Sequence, residues 1–311
     1  MSGSSTGNVT RGIMRAAGLA GVAVILCALA SLPAWTQQSD SGTSESGTPY
    51  SPTEQPKGKR FAKPESAATA LFAAAKRDDE AEILVILGPT AKEIVQWSDD
   101  PAERREHREM FAHKYEQMHR LVKEPDNTIA LYVGPENWPL PIPLVEYHGA
   151  WYFDAELGRK EILYRRIGGN EMEALEVCRT LVDAEKEYHT MAHQYTAKFM
   201  SSENSHDGLY WKSVDDASKS PIGPYLAHAG VTGADTTGAQ PFHGYHYRIL
   251  LQGADTFAIL AFPAEYRSSG VMTFFVSQDG KSFEKDLGEQ TPALSKQVSS
   301  SGPDNSWKQV E

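Results

Sequence analysis

The chain has 311 residues, of which 40% are hydrophobic and 10% aromatic, enough for one or two cored domains and inconsistent with disorder throughout. Its formal net charge of −11, with no Lys/Arg cluster, argues against nucleic acid or anionic membranes as partners, since both need a cationic surface.

Arg11 and Arg15 precede an apolar run over residues 16–30, followed by small residues and Pro33. This is the layout of a secretory signal peptide over residues 1–35, with Ala28-Leu29-Ala30 as an acceptable cleavage motif. The run is short for a retained anchor, and Leu26 before Cys27 argues against a lipoprotein. The expectation is a periplasmic or secreted protein, with no membrane insertion after signal removal. Cleavage would leave Cys178 as the one thiol and no intrachain disulfide. Residues 36–60, rich in Ser, Gly, Thr, Pro and Gln, cannot bury enough surface to offset ordering entropy and read as a disordered linker.

Pro64 suits the first turn of a helix with Ala67, Leu71, Phe72 and Ala75 on its face, and a second short helix stops at Gly88-Pro89. Asp100-Pro101-Ala102-Glu103 starts another, expected to carry Met110, Phe111, Tyr115, Met118 and Val122. Residues 128–133 read as a strand. In 138–144, Trp138, Leu140, Ile142 and Leu144 alternate with three prolines that strip donors from one side, which predicts an edge strand protected from further pairing. His148-Gly149 then turns the chain into a returning strand with Trp151 and Phe153 on one face.

Asn170 with Glu173 three residues on forms a capping box, so a long helix is expected to start there. Leu175, Cys178, Val182, Tyr188, Ala192, Tyr195 and Phe199 make its apolar stripe, where Cys178 reads as packed, not reactive. Loop punctuation at 207–211 and 220–224 surrounds a short helix at 225–229, and strands follow at 245–251, 257–262, 271–277 and 282–287. The predicted class is α+β. N-terminal helices pack on a small antiparallel sheet over 61–167, a long helix packs on a C-terminal antiparallel meander over 168–290, and 291–311 is a loose tail.

Glu185, His189 and His193 are spaced i, i+4, which can put one carboxylate and two imidazoles on one helix face toward a metal. A solvated helix face satisfies the same spacing, and the glutamate between the histidines that an HExxH hydrolase uses is missing. His243 and Tyr245 fall on one face of a strand, and Tyr210 and Trp211 follow the Asp207-Gly208 turn; each can edge a pocket or pack a core. Trp138, Trp151, Phe111 and Tyr115 can line, or equally fill, a cavity in the first unit. The binding candidates are therefore Trp138, Trp151, Tyr210, Trp211, His243 and Tyr245. No serine elbow, phosphate-binding glycine loop or acid/base pair stands out, so no catalytic residue and no cofactor is assigned.

In order, LGP (87–89), WPLPIPLV, WYFD, RRIGGNE, DGLYW, SPIGP, FHGYHYRIL, AFPAEYRSSGVMTFFVSQDG and EKDLG resemble the bacterial domain-of-unknown-function family 2950 over roughly residues 61–288. The resemblance implies an exported bacterial protein whose family has no assigned activity. Between Leu251 and Phe257 the chain departs from the pattern, which usually has a longer Gly-rich insertion there. In fold alone, 61–167 are similar to the helical cone and sheet of nuclear-transport-factor-2-like folds, and 170–290 to the globular part of type II secretion pseudopilins. A whole domain before the spine helix argues against assembly into a pilus. The leading expectation is a non-catalytic exported envelope protein that offers a surface or shallow pocket to a partner protein. The alternatives are a small-ligand binder or enzyme using the first unit's cavity, and a metal binder at Glu185, His189 and His193.

Overall fold

The computed structural model describes Tyr50 and residues 57–212, 219–231, 238–299 and 302–310; the signal peptide and most of the linker read from the sequence lie outside the described residues. Helices α1 (Pro64–Lys76), α2 (Glu80–Leu87), α3 (Lys92–Val95) and α4 (Pro101–Gln117) come first. Pro64 and Pro101 occupy first turns, where a missing N–H breaks no helical bond, and Asp100 caps α4 by accepting from the Ala102 N–H at 2.8 Å. The expected run of α4 through Val122 is corrected, because the helix ends at Gln117 and Val122 lies in β1 (His119–Lys123). There Leu121 stands opposite Leu131 of β2 (Ile129–Val133), so strand pairing over the core overrides helical spacing.

β3 (Trp138–Pro139), β4 (Leu144–Tyr147) and β5 (Ala150–Phe153) complete an antiparallel sheet of order β1-β2-β4-β5, with β3 also on β2. The proline-spaced strand is thus broken, and β4 lies inside the sheet instead of at its edge. So many missing donors cannot sustain a ladder through 140–143. Ile142 and Leu144 are nonetheless buried, and the Leu140 N–H still reaches the Leu131 carbonyl at 2.7 Å. His148 (φ 51°) and Gly149 (φ 77°) are both left-handed, as a two-residue type I′ turn requires. The outer side of β5 is met by Phe61, which exchanges hydrogen bonds of 2.8 and 2.7 Å with Trp151. The described parts of the linker are also docked: the Tyr50 hydroxyl donates to Asp154 at 3.0 Å, and the Lys59 N–H to the Val85 carbonyl at 3.2 Å.

Helix α5 (Ala155–Ala192) runs for 38 residues, which corrects the expected start at Asn170. Asp154 is its cap, accepting from the N–H groups of Glu156 and Leu157 at 3.0 and 3.1 Å, and Gly168-Gly169 weaken the helix without ending it. Asn170 instead donates its side-chain amide to the Ser269 carbonyl at 2.7 Å. The first turns of α5 pack on one hydrophobic core with Leu71, Ile86, Phe111, Leu131, Leu144 and Phe153. Gly158 permits that approach, since a Cβ there would lie 2.7 Å from the Ile142 side chain. The later turns build a second core through Ala174, Cys178, Leu181 and Tyr188.

α6 (Pro224–Ala229) precedes a meander of β6 (Tyr245–Gln252), β7 (Thr256–Pro263), β8 (Met272–Ser277) and β9 (Ser282–Asp286). Alternation sends Tyr245, Tyr247, Ile249, Phe257 and Ile259 toward α5, whereas Leu250, Ala258, Leu260, Phe262 and Phe275 form a smaller core on the opposite face. That second face needs a cover, and the residues read as a loose tail supply it. α7 (Thr291–Leu294) packs by the sheet, Val298 and Trp307 pack on the smaller core, and β10 (Lys308–Val310) pairs with β9. The described residues thus form seven helices and two antiparallel sheets, an α+β fold.

Candidate binding site

Residues Arg104, His107, Arg108 and Phe111 recur at i, i+3, i+4 and i+7 and so share one face of α4. That face meets α1, α2 and the irregular 140–142 segment around a partly open cavity of about 80 Å³, lined chiefly by Leu71, Ala75, Ile83, Leu87, Phe111, Leu140 and Ile142. An engineered apolar cavity of roughly 150 Å³ accepts benzene, so this one admits an aliphatic group of a few carbons. The cavity borders the stretch where the proline-spaced segment leaves the sheet.

The cations on this face are already matched. Arg108 donates to Asp78 at 2.6 Å and to Glu80 at 2.9 Å, and the Arg104 Nε to Glu80 at 3.1 Å. The Arg108 hydrogen bond holds the Asp78 carboxyl below its ordinary range. At Glu80 burial works upward, yet hydrogen bonds from Gln96 and Arg104 prevail and the carboxyl is also lowered. His107 stacks on Trp97 with ring centroids 4.6 Å apart, and burial lowers its pKa, leaving a neutral imidazole at pH 7. Its Nδ1 is buried and has no hydrogen-bond partner. The lining holds no carboxylate to pair with His107 as acid or base, so the arrangement is suited to binding an apolar group. Helical spacing from Arg104 to Phe111 was a sequence signal for this face; that it borders a cavity was not.

Of the aromatic residues weighed for such a cavity, Phe111 lines it. Tyr115 fills space instead, stacked between Phe72 at 4.5 Å and His119 at 3.8 Å. Trp138 is half-buried beneath the Arg165 guanidinium, 5.6 Å from the ring centroid. Trp151 borders a separate open groove with Tyr50, Lys123, Glu146 and His148. Tyr210 is half-buried, and Trp211 is buried and stacked on His206 at 4.4 Å. His243 does not share a strand face with Tyr245: with Gly244 it forms a left-handed pair (φ 51° and 75°) before β6, and its Nδ1 contacts the Glu173 carboxylate. Tyr245 is wholly buried and donates to the Met272 carbonyl at 2.9 Å, so it is core.

The spacing of Glu185, His189 and His193 also does not become a cluster. The helix ends at Ala192, and His193 is an exposed left-handed cap with φ 56°. His189 stacks on Tyr195 at 4.5 Å. Glu185 is wholly buried; one oxygen accepts from the Thr196 N–H at 3.2 Å, and the other has no partner. Burial pushes its carboxyl up to about 8, so it is protonated at neutral pH. Among the described residues no three His, Cys, Asp or Glu side chains converge as a metal group. Burial likewise raises the Cys178 thiol well above its ordinary pKa, which removes its thiolate.

No helix among the described residues is long and apolar enough to cross a membrane. No curated protein and no solved structure matches the chain. The family model described as "Protein of unknown function (DUF2950)" matches residues 58–310, most of the chain, which therefore belongs to that family.

Proposed function

We propose that the protein is an exported, non-catalytic binding protein of the cell envelope that seats an aliphatic side chain of a partner protein in the cavity between α1, α2, α4 and residues 140–142. The cavity itself carries this reading. At about 80 Å³ it is well below the roughly 300–1,000 Å³ of ordinary small-molecule sites, but it suits a single anchor side chain of the kind that dominates protein interfaces. Export is supported by the apolar run at 16–30 behind Arg11 and Arg15.

The test places a photoreactive amino acid at Val95, a half-buried residue of the lining, in the full-length protein in envelope preparations. A discrete protein adduct is expected, and Ala75→Leu, which fills the cavity, should abolish it while the circular dichroism spectrum is retained. An adduct that survives filling, or the lack of any adduct, overturns the proposal.

A further inference from the structure

We infer that Gly168 and Gly169 make α5 a latched hinge between the two hydrophobic cores. The helix serves both, with Ala155 and Ile162 packed on the first and Ala174, Val177 and Leu181 on the second. Its contacts change owner just before the glycine pair. Arg165 still belongs to the first body, donating to the Pro139 carbonyl at 2.8 Å. From Arg166 onward the partners are in the second body: Arg166 donates to the Ser268 carbonyl at 3.0 Å, and Glu171 accepts from the N–H groups of Val271 and Met272 at 2.9 and 3.0 Å.

Nothing in the packing calls for glycine at either position. A Cβ built on Gly168 or Gly169 would meet no atom within 4 Å, and neither residue has a positive φ. Alanine would fit and would favour the helix, so the pair introduces backbone freedom that no intramolecular contact uses. The face shared by Tyr164, Gly168 and Met172 is open to solvent, Tyr164 being 64% and Met172 44% exposed, so bending toward it meets no packed side chain. Asn170 and Glu171 tie the helix to the 269–272 segment beyond the glycines, whereas Arg166 reaches the same loop from before them. A bend at the pair therefore breaks the Arg166–Ser268 bond and leaves the others intact, which makes Arg166 the latch. None of this depends on what occupies the α1/α2/α4 cavity.

The test uses the full chain with Cys27→Ser and spin labels at Glu106→Cys and Glu289→Cys, both exposed, while the buried Cys178 stays unlabelled. A distance distribution that narrows in Gly168→Ala/Gly169→Ala and broadens in Arg166→Gln is expected. Amide exchange at 170–173 should be faster than at 176–188, and about tenfold slower in the double alanine variant than in the parent. Equal distribution widths in parent and alanine variant, or unchanged exchange at 170–173, overturn the hinge. An Arg166→Gln protein that folds and matches the parent overturns the latch; if it does not fold, the alanine variant alone decides the hinge.

Discussion

Replacing Glu185 with Gln should stabilise the second core, and the gain should grow with pH. The side chain is wholly buried on α5, with one oxygen bonded to the Thr196 N–H and the other without a partner. Burial lifts the carboxyl from its ordinary 4.5 to about 8, so the folded protein retains a proton that the unfolded chain releases. The folded state then binds more protons than the unfolded one across that interval. Stability is fully present below about pH 4.5, falls as pH rises, and stops falling above about pH 8. At ~1.4 kcal/mol per pH unit, going from pH 5 to pH 7 withdraws roughly 2–3 kcal/mol.

Glutamine has the same shape, carries no charge, and keeps an oxygen for the Thr196 N–H, so it removes this slope without opening a void. Urea unfolding followed by tryptophan fluorescence reads the effect, because Trp211 lies in the same core as the α5 stripe. For a urea dependence of ~2 kcal/mol per M, the midpoint difference between variant and parent should widen by roughly 1 M from pH 5 to pH 7. Parallel pH dependences over that range would refute the reasoning, since Glu185 would then titrate as a solvated carboxyl.

Three other changes probe the joints of the fold. Arg248, buried beneath the C-terminal segment, donates to the carbonyls of Ser295 and Val298 at 2.7 Å each; Arg248→Leu should cost about 3 kcal/mol and expose residues 291–310 to limited proteolysis. Asp154→Ala removes the α5 cap and the acceptor for Tyr50 and Tyr152, for an expected loss of about 1–2 kcal/mol in chemical denaturation. Gly168→Ala alone should raise thermal stability by about 0.5–1 kcal/mol, as calorimetry can measure, because the added methyl meets open space.

Features governed by nearest neighbours were legible in the sequence. Prolines at the first turns of α1 and α4, the His148-Gly149 turn and the alternation in β6–β9 all appear where their local chemistry puts them. The capping box of Asn170 with Glu173 misplaced the start of α5, because a cap pattern inside a longer helix looks the same locally as one at its end. The structure selects Asp154, whose helix continues through the glycines and packs against both bodies. The C-terminal cover was partly announced by the nearly unbroken apolar run of β7, which implies burial on both faces, but the covering segment carries little apolar pattern of its own.

The candidate site was the least legible part. Even spacing from Glu185 to His193 along the chain says nothing of where the helix stops or what surrounds each side chain: Glu185 is buried, His189 stacks on Tyr195, and His193 is an exposed left-handed cap beyond the stop at Ala192. The α1/α2/α4 cavity arises where elements distant in sequence fail to fill the space between them. Sequence by itself determined the starts of α1 and α4, the His148-Gly149 turn and the β6–β9 meander, because proline geometry, turn chemistry and alternation act over a few residues. Tertiary structure alone decided how far α5 extends, what covers the second sheet, which carboxyl is kept protonated and where a cavity remains, because each depends on burial by residues far away along the chain.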